Sequence, residues 1–297
     1  MNKINTGCFI CGGTEFECRT TDYRRCLNCG HEVLVFTQEQ GFIINDDLCE
    51  KEIRRMTSLD RFKARTLAFF DKEIVRKQLL DIGSASGKFL YHNAARYSHA
   101  MGIEITPESL KFSRQVLGLD IVEDIKNVTE VSVATAWHSL EHIPEQQLLG
   151  VLEGLSRKMV IGGHLIVSVP NGASWQYRWF GKSYAYYDVP NHLHQFTPDS
   201  LGRLMQRFGF HEVATVNSWT YNTFGYTQSL LNMITHTHNY LYYRLKRRSR
   251  KPTLLLDITN GLLLVVAIPF GWLFGLLDAL NLKQQGVITT CFKKKTY

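Results

Sequence analysis

The 297-residue chain lacks several features that would assign it to a class of protein directly. Its first residues, MNKINTGCFICGG, contain no apolar stretch of the length that a signal peptide needs. A general excess of positive charge is also missing, because two short clusters, Arg244–Lys251 and Lys293–Lys295, carry more positive charge than the whole chain's net +7. We therefore expect a cytoplasmic protein whose main body does not bind nucleic acid.

Nucleotide-binding motifs of the common kinds are absent too. The glycine-rich loop at residues 83–87, Gly-Ser-Ala-Ser-Gly, is not followed by the Gly-Lys-Ser/Thr of a Walker loop. It also departs from the G-x-G-x-x-G pattern of dinucleotide-binding domains. An ATPase loop and a standard dinucleotide fingerprint are therefore both excluded.

Four of the seven cysteines form two regular pairs near the start of the chain: Cys8, Cys11, Cys26 and Cys29. A Cys-x-x-Cys turn directs two thiolates toward one point, and two such pairs complete a closed tetrahedral zinc site. The spacing predicts a structural zinc ribbon over residues 1–40, in which metal binding replaces a core that so short a segment cannot build. Short strands are expected at Phe16–Cys18, Tyr23–Arg25 and Val33–Phe36.

The rest of the chain alternates between apolar strand-like runs and helical patterns, which predicts an α/β doubly wound, Rossmann-like sheet of seven strands. We expect a linker and leading helix over 41–77, with the helix at Ser58–Lys77, then the sheet domain over 78–218. A helical insertion is expected over 219–284, and the last strand with a basic tail over 285–297. The predicted strands are Leu79–Ile82, Ala100–Glu104, Ile121–Val122, Val131–Ala136, His164–Val169, Phe210–Val216 and Val287–Phe292.

Acidic residues at the ends of the first three of these strands restrict the ligand. Asp81 lies two positions before Gly83, where it would repel a pyrophosphate and suit a cation. Glu104 can accept hydrogen bonds from two ribose hydroxyls, and Asp124 can face an adenine amino group. The ligand that fits is an adenosine with an ammonium and a sulfonium and no phosphate, which is S-adenosylmethionine (SAM).

The sequence resembles the class I SAM-dependent methyltransferases in "LLDIGSASGKF", "GIEIT", "EDI", "ATAWHSLEHIPE" and "GGHLIVSVPN", over about Gln78–Phe210. With a ribbon in front, it is similar to methyltransferases of bacterial cell-surface sugar and glycolipid pathways. Ala85 departs from the family, where many members have glycine. The resemblance implies that SAM is bound by Asp81, Gly83, Ala85, Gly87, Glu104, Asp124 and Trp137.

A cluster of acid–base residues follows the fourth strand, where the resemblance places the methyl group. His138, Glu141 and His142 are three and four positions apart, so one helical turn would put them on one face. In one interpretation a histidine is a general base. In another, His138, Glu141 and His142 bind a metal ion together with His192 or His194. This arrangement resembles the Glu-x-x-Glu-His motif of small-RNA and ubiquinone-pathway O-methyltransferases. In a third, Glu141 and His142 only cap the helix that starts at Pro144.

An aromatic run at Ser174–Asp188 follows the fifth strand, and we expect it either to form a lid that stacks on sugar rings or simply to pack. Two further features fall in the insertion. A helix is expected over Asn222–Arg250, and Leu262–Leu277 is a run of sixteen residues without a charge. Sixteen helical residues reach roughly 24 Å, short of the roughly 30 Å of a bilayer's hydrocarbon core.

Pro269 should kink this run, so an interfacial or re-entrant hairpin is favoured over a spanning helix. A buried core helix or a dimer contact is the alternative. The leading function is methylation of a sugar, glycan or lipid-linked small-molecule acceptor, on oxygen or carbon, at the inner membrane surface. One alternative is an RNA methyltransferase, against which stand the acidic balance outside the two basic clusters and the apolar insertion. The other is a non-catalytic membrane adaptor with the same fold, against which stand the intact Asp81, Gly83, Gly87 and Glu104. The sequence does not decide whether the protein forms a homodimer.

Overall fold

A seven-stranded sheet forms the centre of the molecule in the computed structural model, which describes residues 7–35, 48–72, 78–245 and 253–295. The strands are β4 (Gln78–Ile82), β5 (His99–Ile103), β6 (Asp120–Val122), β7 (Val131–Trp137), β8 (Met159–Pro170), β10 (Phe210–Val216) and β11 (Val287–Lys294). Their order is β10-β11-β8-β7-β4-β5-β6, and only β11 runs antiparallel to both of its neighbours. The α/β doubly wound fold is thereby confirmed.

Helices cover both faces of this sheet, as parallel strands require. In chain order they are α1 (Glu50–Arg54), α2 (Ser58–Phe70), α3 (Lys88–Asn93), α4 (Pro107–Gln115), α5 (Glu145–Lys158), α6 (Trp175–Phe180), α7 (Pro198–Gln206), α8 (Trp219–Thr235), α9 (Tyr240–Leu245) and α10 (Leu254–Asp278). Local sequence sets several starts: Thr57 and Thr197 form capping boxes with the residues three positions on, and Pro107 opens α4. The leading helix ends at Phe70, and residues 73–77 of the predicted Ser58–Lys77 lie outside the described residues.

The strand order reverses between β4 and β7, and this reversal positions the site. Every residue of β7 is buried, which is why this segment reads as a continuous apolar run. A crevice opens at the carboxyl ends of strands where the order reverses, because the connections leave in opposite directions. The loop after β4 and the segment after β7 therefore face each other across this crevice.

A second, four-stranded sheet joins the N-terminal segment to the main domain. It contains β1 (Phe16–Cys18), β2 (Tyr23–Cys26), β3 (Glu32–Leu34) and β9 (His194–Gln195), in that order. The first strand has the predicted bounds and the second is one residue longer, whereas the third is Glu32–Leu34 instead of Val33–Phe36, and Phe36 lies outside the described residues. The fourth strand, β9, comes from a segment late in the main domain. The ribbon therefore shares a hydrogen-bonded sheet with the main domain.

The insertion between β10 and β11 differs from its prediction. The expected Asn222–Arg250 helix is divided into α8 and α9, with a left-handed residue at His236 between them, and the stretch after Leu245 lies outside the described residues. The apolar run belongs to a longer helix, α10, whose 25 residues continue through Pro269. Its length is therefore about 37 Å rather than 24 Å. By length and composition α10 is able to cross a membrane.

One face of α10 packs on α8 along most of its length. Gly271 and Gly275 let the two backbones approach, since a Cβ on Gly275 would lie 2.7 Å from Thr223 Oγ1. At the helix ends, Arg244 Nε lies 2.9 Å from Asp257 Oδ1 and Tyr226 donates to Asp278. The opposite face is exposed and apolar, and its most exposed members are Leu254, Leu255, Leu262, Val265 and Val266.

Candidate functional site

The glycine loop turns sharply between β4 and α3. Gly83 has φ 72° and Gly87 has φ 77°, a region that side chains disfavour. A Cβ on Gly83 would lie 2.5 Å from Ser139 Cβ, so the loop can pass this close to the segment after β7 only with glycine. Ala85 also has a positive φ, 52°, which explains why a glycine is common at this position in the family that the sequence resembles.

Glu104 connects this loop to the end of β5. Its Oε2 accepts a hydrogen bond from Ala85 N at 2.8 Å, and its Oε1 accepts from Ile105 N and Thr106 N. The side chain is buried, and the carboxylate lies at the carboxyl end of the second parallel strand. This is the position from which an acidic residue reaches a ribose.

Asp81 is the second carboxyl group of the crevice. It is 3% exposed, and Thr135 Oγ1 donates to its Oδ1 at 2.6 Å. Burial raises the pKa of Asp81 to about 7, although the Thr135 hydrogen bond and the charge of Lys63 act in the opposite direction. Asp124 lies at the end of β6, where its Oδ1 accepts from Lys126 N at 2.9 Å and its side chain stays half-exposed.

Several buried polar atoms around the crevice have no hydrogen-bond partner among the described residues. Buried polar groups are nearly always paired in folded proteins, so such a concentration indicates a polar ligand. The predicted cofactor residue Trp137 belongs to this group, and its ring packs on Phe89 at the start of α3. The atoms are Ser84 Oγ, Trp137 Nε1, His138 Nε2, Ser139 Oγ, Tyr221 Oη and both carboxylate oxygens of Glu141.

His138 does not begin a helical turn, which corrects the expected geometry. Its φ is 52°, and a short 3₁₀ helix follows at Leu140–His142. The left-handed turn still brings His138 Nδ1 to 3.3 Å from Glu141 Oε1. Strained backbone of this kind concentrates at functional sites.

Glu141 is fully buried between three imidazoles. Burial alone would raise its pKa, but the contact with His138 and the nearby ring of His142 lower the pKa to about 2. Its side chain does not cap the next helix, because α5 is preceded by Pro144 and receives no side-chain cap. The capping interpretation is therefore wrong for Glu141, whose carboxylate oxygens have no hydrogen-bond partner among the described residues.

His142 and His192 face Glu141 from two sides, with their ring centroids 4.7 Å apart. His142 Nδ1 lies 2.9 Å from the Asn191 carbonyl, and His192 Nδ1 lies 2.9 Å from the Tyr186 carbonyl. A carbonyl only accepts, so both Nδ1 atoms carry hydrogen, and Nε2 is the nitrogen of each ring that can bind a metal ion. One ligand atom from each of Glu141, His142 and His192 lies within 4.8 Å of the others, which fits a divalent cation.

His194 lies apart from this cluster. Its Nε2 donates to the Ile143 carbonyl at 3.0 Å, and its ring packs on His31 and Phe196. Burial lowers the pKa of His194 to about 4, which keeps the ring neutral. It belongs to the contact with the ribbon rather than to the crevice.

The four paired cysteines come together in the N-terminal segment. Cys8 Sγ lies 3.7 Å from Cys29 Sγ, and Cys11 Sγ lies 3.6 Å from Cys26 Sγ. Zinc–sulfur bonds of ~2.3 Å in a tetrahedron give S···S separations of ~3.8 Å. The cluster therefore has the size that a zinc ion requires.

Two tyrosines pack on His138, and of these Tyr186 belongs to the predicted aromatic run whereas Tyr221 has no sequence signal. Tyr221, in the first turns of α8, lies with its ring 4.7 Å from that of His138. Tyr186, in the aromatic run, stacks on His138 with their ring centroids 5.7 Å apart, and its hydroxyl donates to the Tyr221 carbonyl. Most of the run packs rather than forming a free lid, since Tyr177, Tyr184 and Tyr187 are buried against Tyr23 and Leu34 of the ribbon.

Comparison with known proteins identifies the same region. A family described as a methyltransferase domain matches residues 53–215, more than half of the chain. A search of the curated proteins finds no match.

Solved structures of methyltransferases are similar in fold. A SAM-dependent methyltransferase from Archaeoglobus fulgidus is 17% identical with a TM-score of 0.47, over 82% of this chain and 97% of that one. A putative sarcosine dimethylglycine methyltransferase from Galdieria sulphuraria is 13% identical with a TM-score of 0.51, over 80% and 85%. The phosphoethanolamine N-methyltransferase 2 of Haemonchus contortus is 10% identical with a TM-score of 0.50, over 80% and 53%.

Proposed function

Because the chain belongs to the methyltransferase-domain family and has the fold of the class I SAM-dependent enzymes, we propose that it methylates a hydroxyl group of a lipid-linked, sugar-containing acceptor at a membrane surface. One observation carries the choice of acceptor. Helix α8 contributes Tyr221 to the crevice and supports α10, whose outer face is apolar, on another side. Helix α8 therefore connects the site to the helix whose outer face would contact lipid.

The residues at the carboxyl ends of three strands fit SAM. The carboxyl of Asp81 suits the ammonium group, and Glu104 suits the ribose. Asp124 can accept from an adenine amino group, because its side chain is half-exposed at the end of the third strand. The orphaned Trp137 Nε1 and Ser139 Oγ supply further donors.

We assign the general base to His138. Bound SAM supplies an activated methyl group, so the protein has to position a hydroxyl and accept its proton. His138 Nε2 is buried without a partner among the described residues, and its other nitrogen lies against the anionic Glu141. A carboxylate in this position orients the imidazole and stabilises the imidazolium that forms when the acceptor oxygen attacks the methyl carbon.

The outer face of α10 and the basic cluster that precedes it support membrane attachment. An apolar helix face that lies in a bilayer interface beside Lys and Arg residues binds anionic lipids through both. Helix α10 is covered on one side by α8, so it would lie along the surface rather than cross it. The proposed location is the cytoplasmic face of the membrane.

The test combines methyl-labelled SAM with a lipid extract from membranes of the source cells. Wild-type protein should transfer label to chloroform–methanol-soluble material, and His138→Ala should lower the rate at least a hundredfold. The matched control His211→Ala, on β10, should keep the rate. Label in RNA, or an unchanged rate in His138→Ala, would refute the proposal.

Attachment has its own test, which is flotation with phosphatidylglycerol vesicles. Val265→Glu, at a position that is 76% exposed on α10, should abolish flotation. Ile161→Glu, which replaces an exposed apolar residue on β8, should leave flotation unchanged. A soluble wild-type dimer that does not float would assign the face to a second copy instead.

The Glu141–His142–His192 cluster favours a second mechanism of activation. A divalent cation bound there would lower the pKa of the acceptor hydroxyl. The backbone carbonyls that hold both Nδ1 atoms are the supporting contacts typical of metal-binding histidines. Equilibrium dialysis with Mn²⁺ separates the two mechanisms. One bound ion that is lost in Glu141→Gln and kept in His138→Ala supports the metal mechanism, and the absence of a bound ion refutes that mechanism.

A further inference from the structure

The segment Asn191–Thr197, hereafter the histidine segment, is held by the N-terminal ribbon. Strand β9 within it pairs with β3, with Glu32 opposite Gln195 and Val33 opposite His194. The pairing extends one step further, because Leu34 N donates to the Leu193 carbonyl at 3.0 Å. The edge of the ribbon sheet is thus occupied by the segment that carries His192.

Two side-chain hydrogen bonds fix the ends of the histidine segment to the ribbon. Tyr23 Oη, which is fully buried, donates to the His192 carbonyl at 2.7 Å. At the other end, Thr197 Oγ1 donates to the carbonyl of Cys29 at 3.0 Å. Cys29 belongs to the cysteine cluster and Thr197 caps α7, so this contact links the metal-binding turn to the main domain.

Ring packing fills the space between these two contacts. The buried ring of His31 lies 5.2 Å from that of His194 and 5.2 Å from that of Phe196. Phe9, in the first cysteine turn, packs on both His31 and His194. The apolar contacts of the ribbon therefore run directly into the histidine segment.

On its other side the histidine segment contacts the crevice. Leu193 N donates to the Glu141 carbonyl at 2.8 Å, and the ring of His192 faces that of His142. The segment is thus held between the ribbon and the Glu141–His142 turn. A displacement of β3 would move His192 relative to Glu141, because the same short backbone makes both contacts.

We infer that the ribbon is a positioning element for the histidine segment, with Tyr23 as the residue that sets the orientation of His192 in the crevice. Zinc in the ribbon then controls the geometry of the site, although the cysteine cluster itself touches neither SAM nor acceptor. This assigns the ribbon an intramolecular role, since its β3 edge and the Cys29 carbonyl are both used within the chain.

The test compares two substitutions that each remove one buried tyrosine hydroxyl. Tyr23→Phe removes the hydrogen bond to the histidine segment. Tyr97→Phe removes a bond of the same 2.7 Å length to Asp71, between β5 and α2, and serves as the control. The readout is the ring ¹H–¹⁵N spectrum of ¹⁵N-histidine-labelled protein, with His192 assigned from its loss in His192→Ala.

Tyr23→Phe should shift or broaden the His192 ring signals while the Kd for SAM stays within about twofold, because Asp81 and Glu104 lie on other elements. Cys26→Ser, which removes one ligand of the cysteine cluster, should give the same change, and Tyr97→Phe should not. Unchanged His192 signals in both Tyr23→Phe and Cys26→Ser would overturn the inference.

A rate measurement extends the test and rests on the proposed function. With labelled SAM and the lipid extract, Tyr23→Phe should lower kcat about tenfold and leave the KM for SAM unchanged. A wild-type protein without transferase activity would refute the proposed function only, because the ring spectrum still decides the inference. If Tyr23→Phe alters the His192 ring signals but leaves kcat unchanged, Tyr23 has only a structural role, and the inference that it affects catalysis is overturned.

Discussion

The buried carboxyl of Asp81 predicts that cofactor binding depends on pH near neutrality. Burial raises the pKa of this group to about 7, so it is mostly neutral below that pH and mostly ionised above it. Only the ionised form attracts the ammonium group of the cofactor. With a pKa near 7, about a tenth of the molecules carry the charge at pH 6 and about nine-tenths at pH 8.

The affinity for S-adenosylhomocysteine should therefore rise about tenfold from pH 6 to pH 8, which is about 1.4 kcal/mol. Isothermal titration calorimetry at a series of pH values measures this directly. The groups that act on Asp81 are Thr135 on β7, Lys63 on α2 and Glu104 after β5, and Lys63 and Thr135 lower its pKa. Their net effect is already part of the value near 7.

Asp81→Asn should remove the pH dependence and bind weakly at every pH. Asp278→Asn is a matched control, because burial also raises the pKa of Asp278 to about 7 and this residue lies at the end of α10, bonded to Tyr226. The control should keep the wild-type dependence. A wild-type affinity that does not change between pH 6 and 8 would refute the assignment of Asp81 to the ammonium group.

Three further predictions follow from the packing of the loop, the cysteines and the acidic cluster. In urea titrations, Gly83→Ala should lower the free energy of unfolding by about 2–4 kcal/mol, because Gly83 has a positive φ and a Cβ there would meet Ser139. The control Gly118→Ala should lower it by about 1 kcal/mol, because Gly118 has φ 66° but open space around it. Elemental analysis should show one zinc ion fewer per chain in Cys26→Ser than in Cys18→Ser, whose thiol is exposed and outside the cluster, and equal contents would contradict the proposed ribbon. The pKa of Glu141 is lowered to about 2, so its contribution to stability is present above about pH 4.5 and is lost as the pH falls toward 2. In urea titrations, Glu141→Gln should therefore reduce the loss of unfolding free energy between pH 4.5 and pH 2. The same dependence of unfolding free energy on pH in wild type and variant would refute this prediction.

Local patterns predicted the sheet well, because each buried parallel strand is a short apolar run with a polar boundary. Phe210–Val216 has the predicted bounds and β4 differs by one residue, whereas β8 begins at Met159, five residues before the predicted start at His164. The glycine loop was also predictable from the sequence, since the positive φ angles of Gly83 and Gly87 require glycine. Helix lengths were less predictable: α10 begins at Leu254, eight residues before the charge-free run, and continues through Pro269 to Asp278.

The candidate site depends on contacts that no local pattern encodes. The spacing of His138 and Glu141 suggested a helical turn, but the structure brings the pair together through a left-handed residue. Tyr221 reaches His138 from an insertion more than eighty residues away in sequence. The pairing of β9 with the ribbon was also invisible, because a two-residue strand has no periodicity to detect.

The most direct test of the central claim is the destination of the methyl label. Purified protein is incubated with methyl-labelled SAM and a cell extract that is separated into lipid, nucleotide-sugar, protein and RNA fractions. Label is expected in the chloroform–methanol fraction, from which mild acid should release it as a methylated sugar, and it should be absent with His138→Ala. Label in RNA, with the lipid fraction unlabelled, would contradict this expectation.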